Sequence, residues 1–390
     1  MKLLYLYTDY FQNYDFLMAL QEQLDMDIVD TPFMTYAPDE KQLEVLAHQI
    51  GHTHYDAVIN YGYVPYLSDL CNTLQLPYVS WTYDSILHSL YHKSVENPCN
   101  VLFVYDHSEY IYLREHFHIP HLYHLPLAAN VKRVCSLVPT AEDIKQYTCD
   151  VSFVGDLYQK NTYVDLEPLL SPDEITYFEQ AFRYFHGKWG RDSIYDWFSR
   201  ADADYLQTWL PEYLRNDELM SNQRFFADIL LSKPIASRER MDMLNRLARN
   251  HSVRLYHKAT TDISVLKNVD CHPGVNYYDA MSFAFRYSKI NLNTTLHGMM
   301  SGIPLRCFDI MAAGGFLLSN YQSELTEYFE IGTDCVVYHD LDELEDLVDY
   351  YLRHDAIRDR IAQAGFQAIT QAHTYRHRVQ AILHILHTIC

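Results

Sequence analysis

The chain of 390 residues contains no run of ~18 uninterrupted apolar residues, the length that a membrane-crossing helix needs. Its start, MKLLYLYTDYFQNYDF, has no basic leader and no small-residue cleavage site, and it turns polar at Thr8. It reads as a first core strand and not as a signal peptide. Positive charge is scarce: 30 Lys and Arg stand against 51 Asp and Glu, a balance of −21. Such a field disfavours nucleic acid and anionic membrane surfaces as the main partner. An anionic small molecule is still compatible with it, because one Arg and a helix terminus act locally. The eight cysteines form no C-x-x-C pair and no regular framework, so reduced thiols in a cytoplasmic protein are the plain reading. No internal repeat or low-complexity tract is present, and 48% apolar residues is a globular content. The 34 tyrosines run along the whole chain and read as core and surface fill.

What is present is alternation. The length suits two domains of ordinary size. In residues 1–135, KLLYLYT, DIVDTPF, YDAVINYG, YVSWTY, VLFVYD and LYHLPLA read as strands. FLMALQEQL, EKQLEVLAHQI, VPYLSDLCNTLQ and YIYLREHF separate them with helical spacing. That is the pattern of a parallel sheet covered on both faces, an α/β doubly wound domain. After the polar, Pro-bearing connection SLVPTAEDIKQYT, a second sheet opens at DVSFVGDLY and defines a second domain over 150–375. Helical patterns at about 160–250 form an insertion in it. SVRLYH then resumes the sheet, and helical segments close the chain.

The most informative stretch is SKINLNTTLHGMMSGIPLRCFDIMAAGGFLLSN, from Ser288 to Asn320. It reads as strand, Gly-bearing loop, helix opened by Pro304 and stopped at Gly314-Gly315, then a buried strand. A helix N-terminus offers unpaired amides and partial positive charge, which suits a phosphate or diphosphate. Arg306 in the first turn has the wrong sign for the helix dipole, so a bound anion accounts for it better than a surface ion pair. Asp309, three residues on and on the same face, is placed to accept ribose hydroxyls. The unit is built like the donor-binding half of a nucleotide-sugar enzyme. In an open parallel sheet, ligands sit beyond the carboxyl ends of the strands. Asp9, Asp84 and Asp106 occupy that place in the first domain, where a carboxylate could take an acceptor hydroxyl's proton. Each could equally be a turn or capping residue.

SKINLN, SGIPLR, DIMAAGGFLLSN and YYLRHDAIRDRIAQAG resemble the C-terminal half of the glycosyltransferase-like family that includes the CgeB/YkvP spore-maturation proteins. PYVSWTYDS and HLYHLPLAAN resemble its N-terminal domain. The resemblance implies the two-domain GT-B fold, with two Rossmann-like domains and a nucleotide-diphosphate sugar as co-substrate in the cleft. It implies no cofactor, no metal, and transfer to a hydroxyl of a glycan or protein. It places Asp84 first among the candidate bases, since that residue lies inside WTYDS. For the donor it points to Asn293, Arg306 and Asp309, to Gly155 and Lys160 of FVGDLYQK, and to Val275 beside His272 and Gly274. It also implies that a terminal helix, 376–390, crosses back onto the first domain.

One departure bears on mechanism. Retaining enzymes of this fold carry two Glu residues, the second in E-A-M-A-x-G. DIMAAG puts Asp309 at that second place, while Ser301 stands where the first acid would be. A catalytically silent binding protein of a spore or cell-surface assembly is therefore the alternative. Two metal-like signals are set aside. Asp202 and Asp204 form a D-x-D in a helical stretch, and His116, His118, His121 and His124 straddle Pro120 between a helix and a strand.

Overall fold

Short runs rich in Val, Ile, Leu, Phe and Tyr, each ended by a polar or glycine turn, form twelve parallel strands in two sheets among the described residues. The computed structural model describes residues 1–7, 13–24, 26–30 and 40–389. The first sheet holds β1 (Leu3–Tyr7), β2 (Met26–Asp30), β3 (Ala57–Tyr61), β4 (Tyr78–Trp81), β5 (Asn100–Val104) and β6 (His121–His124), in the order β2-β1-β3-β4-β5-β6. The second holds β7 (Cys149–Val154), β8 (Val253–His257), β9 (Asp270–Pro273), β10 (Ser288–Asn293), β11 (Leu317–Asn320) and β12 (Val336–Tyr338), in the order β12-β11-β10-β7-β8-β9. Both are the α/β doubly wound sheets expected from the alternation.

The chain forms two compact units. The first comprises Met1–Ala128, Asp217–Leu219 and His373–Cys390. Its core centres on Trp81, which meets Phe16 at 5.2 Å, Tyr61 at 5.5 Å and Tyr375 at 5.9 Å between ring centroids. The Trp81 indole N–H donates to the Leu125 carbonyl at 3.0 Å, so its polar edge is satisfied inside the core. Tyr375 opens the last helix, Tyr375–Ile389, which packs on the helix Asn13–Gln21. Tyr5, Tyr61, Tyr78, Tyr91 and Tyr375 rank among the largest fully buried side chains, as core fill requires.

The second unit comprises Ala129–Asn216 and Met220–Ala372. It begins earlier than the sequence boundary, and the connection SLVPTAEDIKQYT is not extended chain. Thr140 and Asp143 form a reciprocal capping box that starts a helix over Ala141–Tyr147. One core lies on a single face of the second sheet, where Val151, Phe153, Leu255, Ile290, Leu292 and Leu318 pack with Met243, Leu247, Leu344 and Val348 of the helices that cover it. Between β7 and β8 lies a long helical crossover that ends in the helix Lys233–Leu247. The helix Leu305–Ala312 terminates as DIMAAGG suggests. Gly314, at φ +75°, donates to the Met311 carbonyl at 3.0 Å, and Gly315 donates to the Ile310 carbonyl at 2.9 Å.

Arg378, 8% exposed, ties together the segments of the first unit next to its two longest breaks. Its guanidinium donates to the Leu127 carbonyl at 3.0 Å, the Pro126 carbonyl at 2.7 Å and His373 Nδ1 at 2.8 Å. Accepting that bond requires neutral His373, and burial together with Arg378 lowers its pKa from 6.5 to about 4. The folded value lies below the unfolded one, so this contribution to stability is complete above pH 6.5 and is lost as pH falls toward 4. The loss amounts to roughly 3 kcal/mol. Denaturant titrations from pH 7 to 4 should show His373→Gln, which keeps an acceptor and cannot titrate, losing less stability than the native chain. Parallel losses in the two proteins would exclude His373 as the titrating group.

Candidate functional site

Counted from β7, the second sheet has the order 6-5-4-1-2-3, so its strand order reverses between β7 and β10. A crevice opens there, beyond the carboxyl ends of these two strands. Arg240, from the helix Lys233–Leu247, spans it. Its guanidinium donates to the Thr294 carbonyl, just past β10, at 2.6 Å, and to the Asp156 carbonyl, just past β7. The same group lies over the Phe153 ring at 5.2 Å and the Tyr158 ring at 4.6 Å. Arg240 is 7% exposed and its Nε has no acceptor among the described residues. Gly155 lies between, with room beside Phe153 and Arg240 only for a small residue.

The helix Leu305–Ala312 starts on the β10 side of this crevice. Its N-cap is Pro304, which supplies no side-chain acceptor, so the first-turn amides have no cap. Arg306 sits in this turn, partly buried. It donates to the Met281 sulfur at 3.2 Å and lies over the Phe285 ring at 5.5 Å. Among the described residues no carboxylate is within ion-pair distance of it. Burial pushes its guanidinium below the usual arginine range, Asp309 and Tyr277 oppose this, and nearby Arg240 adds to it. It stays charged at neutral pH. Two guanidinium groups thus share one crevice with no ion-paired carboxylate on Arg306, an arrangement that an anion would relieve.

Asp309, one turn deeper, accepts the Tyr277 hydroxyl at 3.2 Å. Tyr277 is itself 4% exposed and held by Arg133, whose guanidinium covers its ring at 4.9 Å and donates to its carbonyl at 3.3 Å. Val275 is half-buried just beyond β9, on the same side of the sheet. Lys160 is exposed after β7. The structure turns Asn293 inward: its amide donates to Thr295 Oγ1 at 3.1 Å and Ser319 Oγ at 2.9 Å. Both donors are taken, so Asn293 positions the strand ends and leaves no N–H for a ligand. Ser301, at the place of the absent acid, donates its hydroxyl to buried Glu324 at 2.9 Å.

In the first unit, Asp84 and Asp106 follow the adjacent strands β4 and β5. Asp106 is 1% exposed and caps the helix His107–His116, accepting the Ser108 amide at 3.0 Å and the Ser85 hydroxyl at 2.9 Å. It is the capping residue that its place allowed for. Asp84 is exposed in the turn beside it, next to Tyr83, which stacks on Tyr61 at 4.9 Å. Asp9 lies outside the described residues. Asp202 closes a capping box with Ser199 and Asp204 lies 3.8 Å from Arg200, so that D-x-D is accounted for by helix chemistry. Among the described residues no three His, Cys, Asp or Glu side chains converge as a metal site would require.

Residues 238–384 match the family model described as glycosyl transferase-like, and this segment carries Arg240, Asn293, Arg306 and Asp309. The whole chain superposes on solved structures. HepE of Anabaena in complex with UDP-glucose gives a TM-score of 0.59 at 9% identity, covering 100% of both chains. A glycosyltransferase from Rickettsia africae gives 0.57 at 8%, covering 100% of this chain and 98% of that one. WaaG, a glycosyltransferase involved in lipopolysaccharide biosynthesis, gives 0.53 at 10%, covering 98% of each. At such identity the likeness is one of fold, the GT-B fold. No curated protein sequence matches the chain.

Replacing Arg306 by Ala should weaken binding of a nucleoside diphosphate by ~1.5–3 kcal/mol, as for a lost charge-assisted hydrogen bond. Lys at this position should recover only part, because the planar fork is missing. Calorimetric titration with UDP, GDP, ADP and TDP measures this. Unchanged affinity in Arg306→Ala would remove the residue from the site.

Proposed function

We propose that this chain, a glycosyltransferase of GT-B type, moves a sugar from a nucleotide-diphosphate sugar to a hydroxyl of a glycan or protein acceptor, without a resident metal ion. The observation that carries this reading is Arg306, a partly buried cation with no carboxylate ion pair among the described residues, set beside uncapped helix amides at the point where the second sheet's strand order reverses. A diphosphate supplies the charge that this arrangement lacks. As the bond between the anomeric carbon and phosphate breaks, negative charge builds on the leaving nucleoside diphosphate. Arg306 and the amides of Leu305 and Arg306 are already oriented to stabilise it. Asp309 and Tyr277 form a hydrogen-bonding edge one turn away, suited to ribose hydroxyls, with Val275 toward the base and Lys160 toward the phosphates.

On the acceptor side, we assign the base to Asp84. Asp106 is committed to its helix cap and Ser85, whereas Asp84 is exposed in the adjoining turn. In an inverting course the acceptor oxygen bonds to the anomeric carbon, its proton passes to Asp84, and the diphosphate leaves. The motif likeness to the CgeB/YkvP type supports a member of that type, and cysteines without a framework fit a cytoplasmic setting. Ser301, engaged with Glu324 where retaining enzymes have an acid, favours a second reading: a protein that binds a sugar nucleotide without turning it over.

Asp84→Asn should leave donor affinity near the native value while turnover falls by ~10²–10⁴, the range for a positioned base. Full turnover in this variant would move the assignment to another acid. A native protein that binds a nucleotide sugar yet neither hydrolyses nor transfers it, with lysate glycans and proteins as acceptors, would favour the silent reading.

Activity should also survive EDTA and dialysis. Complete loss on chelation, restored by Mn²⁺, would contradict charge stabilisation by side chains and helix amides.

A further inference from the structure

The long crossover between β7 and β8 returns to the sheet edge at Gly187–Asp192 and builds a second concavity there. Trp189 donates its backbone N–H to the His339 carbonyl at 3.0 Å, and its ring meets Tyr338 of β12 edge-on at 5.2 Å. Gly190, at φ +74°, passes so close to Tyr321 that a Cβ would lie 2.5 Å from the ring. With the loop after β10 and the residues after β11, this segment encloses a cleft of about 60 Å³. Lys188, Trp189, Arg191, Asp192, His297 and Tyr321 are among its walls.

Its chemistry is that of a built site. His297 Nε2 lies 2.8 Å from Glu239 Oε1, with side chains 7% and 0% exposed. The same Glu239 oxygen accepts the Gly187 amide at 2.7 Å, so it acts as acceptor and His297 donates through Nε2–H. The bond from Nε2 to the buried carboxylate fixes the ring's orientation and leaves Nδ1 on its opposite edge. Trp189, 4% exposed, stacks on His297 at 6.0 Å and has an indole N–H with no acceptor among the described residues. A buried donor without a partner needs an explanation, and a ligand oxygen provides one. At the rim, Lys188 and Arg191 are exposed, and among the described residues neither forms an ion pair. The carboxylate of Asp192 beside them accepts the Tyr184 hydroxyl. Two such cations at one cleft stand out in a chain of net charge −21.

We propose that this cleft binds the acidic group of a sugar. A carboxylate or phosphate pairs with Lys188 and Arg191 and takes the Trp189 N–H, while His297 Nδ1 accepts a neighbouring hydroxyl. The volume admits the acidic group and not a whole hexose, so the ring rests at the mouth. The same loop runs on through Met299, Met300 and Ser301 to the Arg306 helix. It rests on residues of its own and stands whether or not the donor reading does.

The test is calorimetry on the full chain with glucuronate, glucose 6-phosphate, neutral glucose and inorganic phosphate, beside a separate UDP titration. Both acidic sugars, or one of them, should bind at least tenfold more tightly than glucose, and the preferred one identifies carboxylate or phosphate as the group. A Lys188→Ala/Arg191→Ala double variant, altered only at exposed positions, should lose that preference and keep its UDP affinity. His297→Gln should weaken the acidic sugar, and ligand-induced change in tryptophan fluorescence should vanish in Trp189→Phe. Equal binding of glucose and the acidic sugars, or an unaltered preference in the double variant, would overturn the proposal. Phosphate binding as tightly as glucose 6-phosphate, with no glucuronate binding, would reduce the cleft to a simple anion site and overturn it also. Loss of UDP binding alone, with acidic-sugar binding intact, would count against the donor reading and not against this one.

Discussion

Arg240 is the group on which the second unit's site depends. Parallel strands β7 and β10 run side by side, yet the chains leaving them diverge, because one feeds the long crossover and the other the helix Leu305–Ala312. Divergence exposes the carbonyls of Asp156 and Thr294, which no strand partner can reach. A single planar guanidinium reaches both at fixed spacing, and the rings of Phe153 and Tyr158 shield it from water. Burying a cation is unfavourable unless its N–H groups are satisfied. Here two carbonyl dipoles accept from the terminal nitrogens in place of a carboxylate, and Nε has no acceptor among the described residues, so the positive charge is retained and not cancelled. That is why an acidic chain can still present a positive crevice. The net charge acts at long range and is screened, whereas Arg240 and Arg306 act over a few ångströms in partly excluded solvent.

The first unit shows the opposite allocation. Two acids follow adjacent strands, and the backbone claims one of them. The helix His107–His116 begins immediately after β5 with unpaired amides, and Asp106 satisfies them while its other oxygen takes Ser85. That bond draws the turn after β4 against the cap and fixes where Asp84 stands. The capping acid thereby acts as a support for its neighbour.

Legibility in the sequence followed the range of the interaction. Strands of a parallel sheet buried on both faces are continuous apolar runs, so both sheets could be read directly. The Gly314-Gly315 stop and the Arg306/Asp309 spacing are local, and the structure shows them as written. Arg240 was not legible. It sits in SKPIASRERMDMLNRLARN among Arg238, Arg246 and Arg249, and nothing nearby separates it from them. Its role depends on β7 pairing with β10, strands whose facing residues Ser152 and Asn291 are 139 positions apart. The partners of Asn293 are set at the same range: its amide donates to Ser319 of the neighbouring strand β11. The helix from Ala141 was legible in principle, because Thr140 and Asp143 have capping-box spacing, but Pro139 and the polar composition masked it.

The same distance argument explains how the helical crossover shapes chemistry that belongs to the sheet. Glu239 and Arg240 are consecutive, so their side chains leave the helix about 100° apart. One reaches His297 and the Gly187 amide, the other the Thr294 and Asp156 carbonyls. Thr294 and His297 belong to one loop, which is therefore held at two points by two adjacent residues of one helix. Neither hold comes from the sheet. Gly298, whose Cβ would collide with Asp228 and Ser232, lets the loop lie directly on the crossover, and Tyr195 donates to its carbonyl at 2.7 Å. The loop then enters the turn that Pro304 opens already positioned, so the placement of Arg306 is set jointly by the second sheet and by the inserted helices.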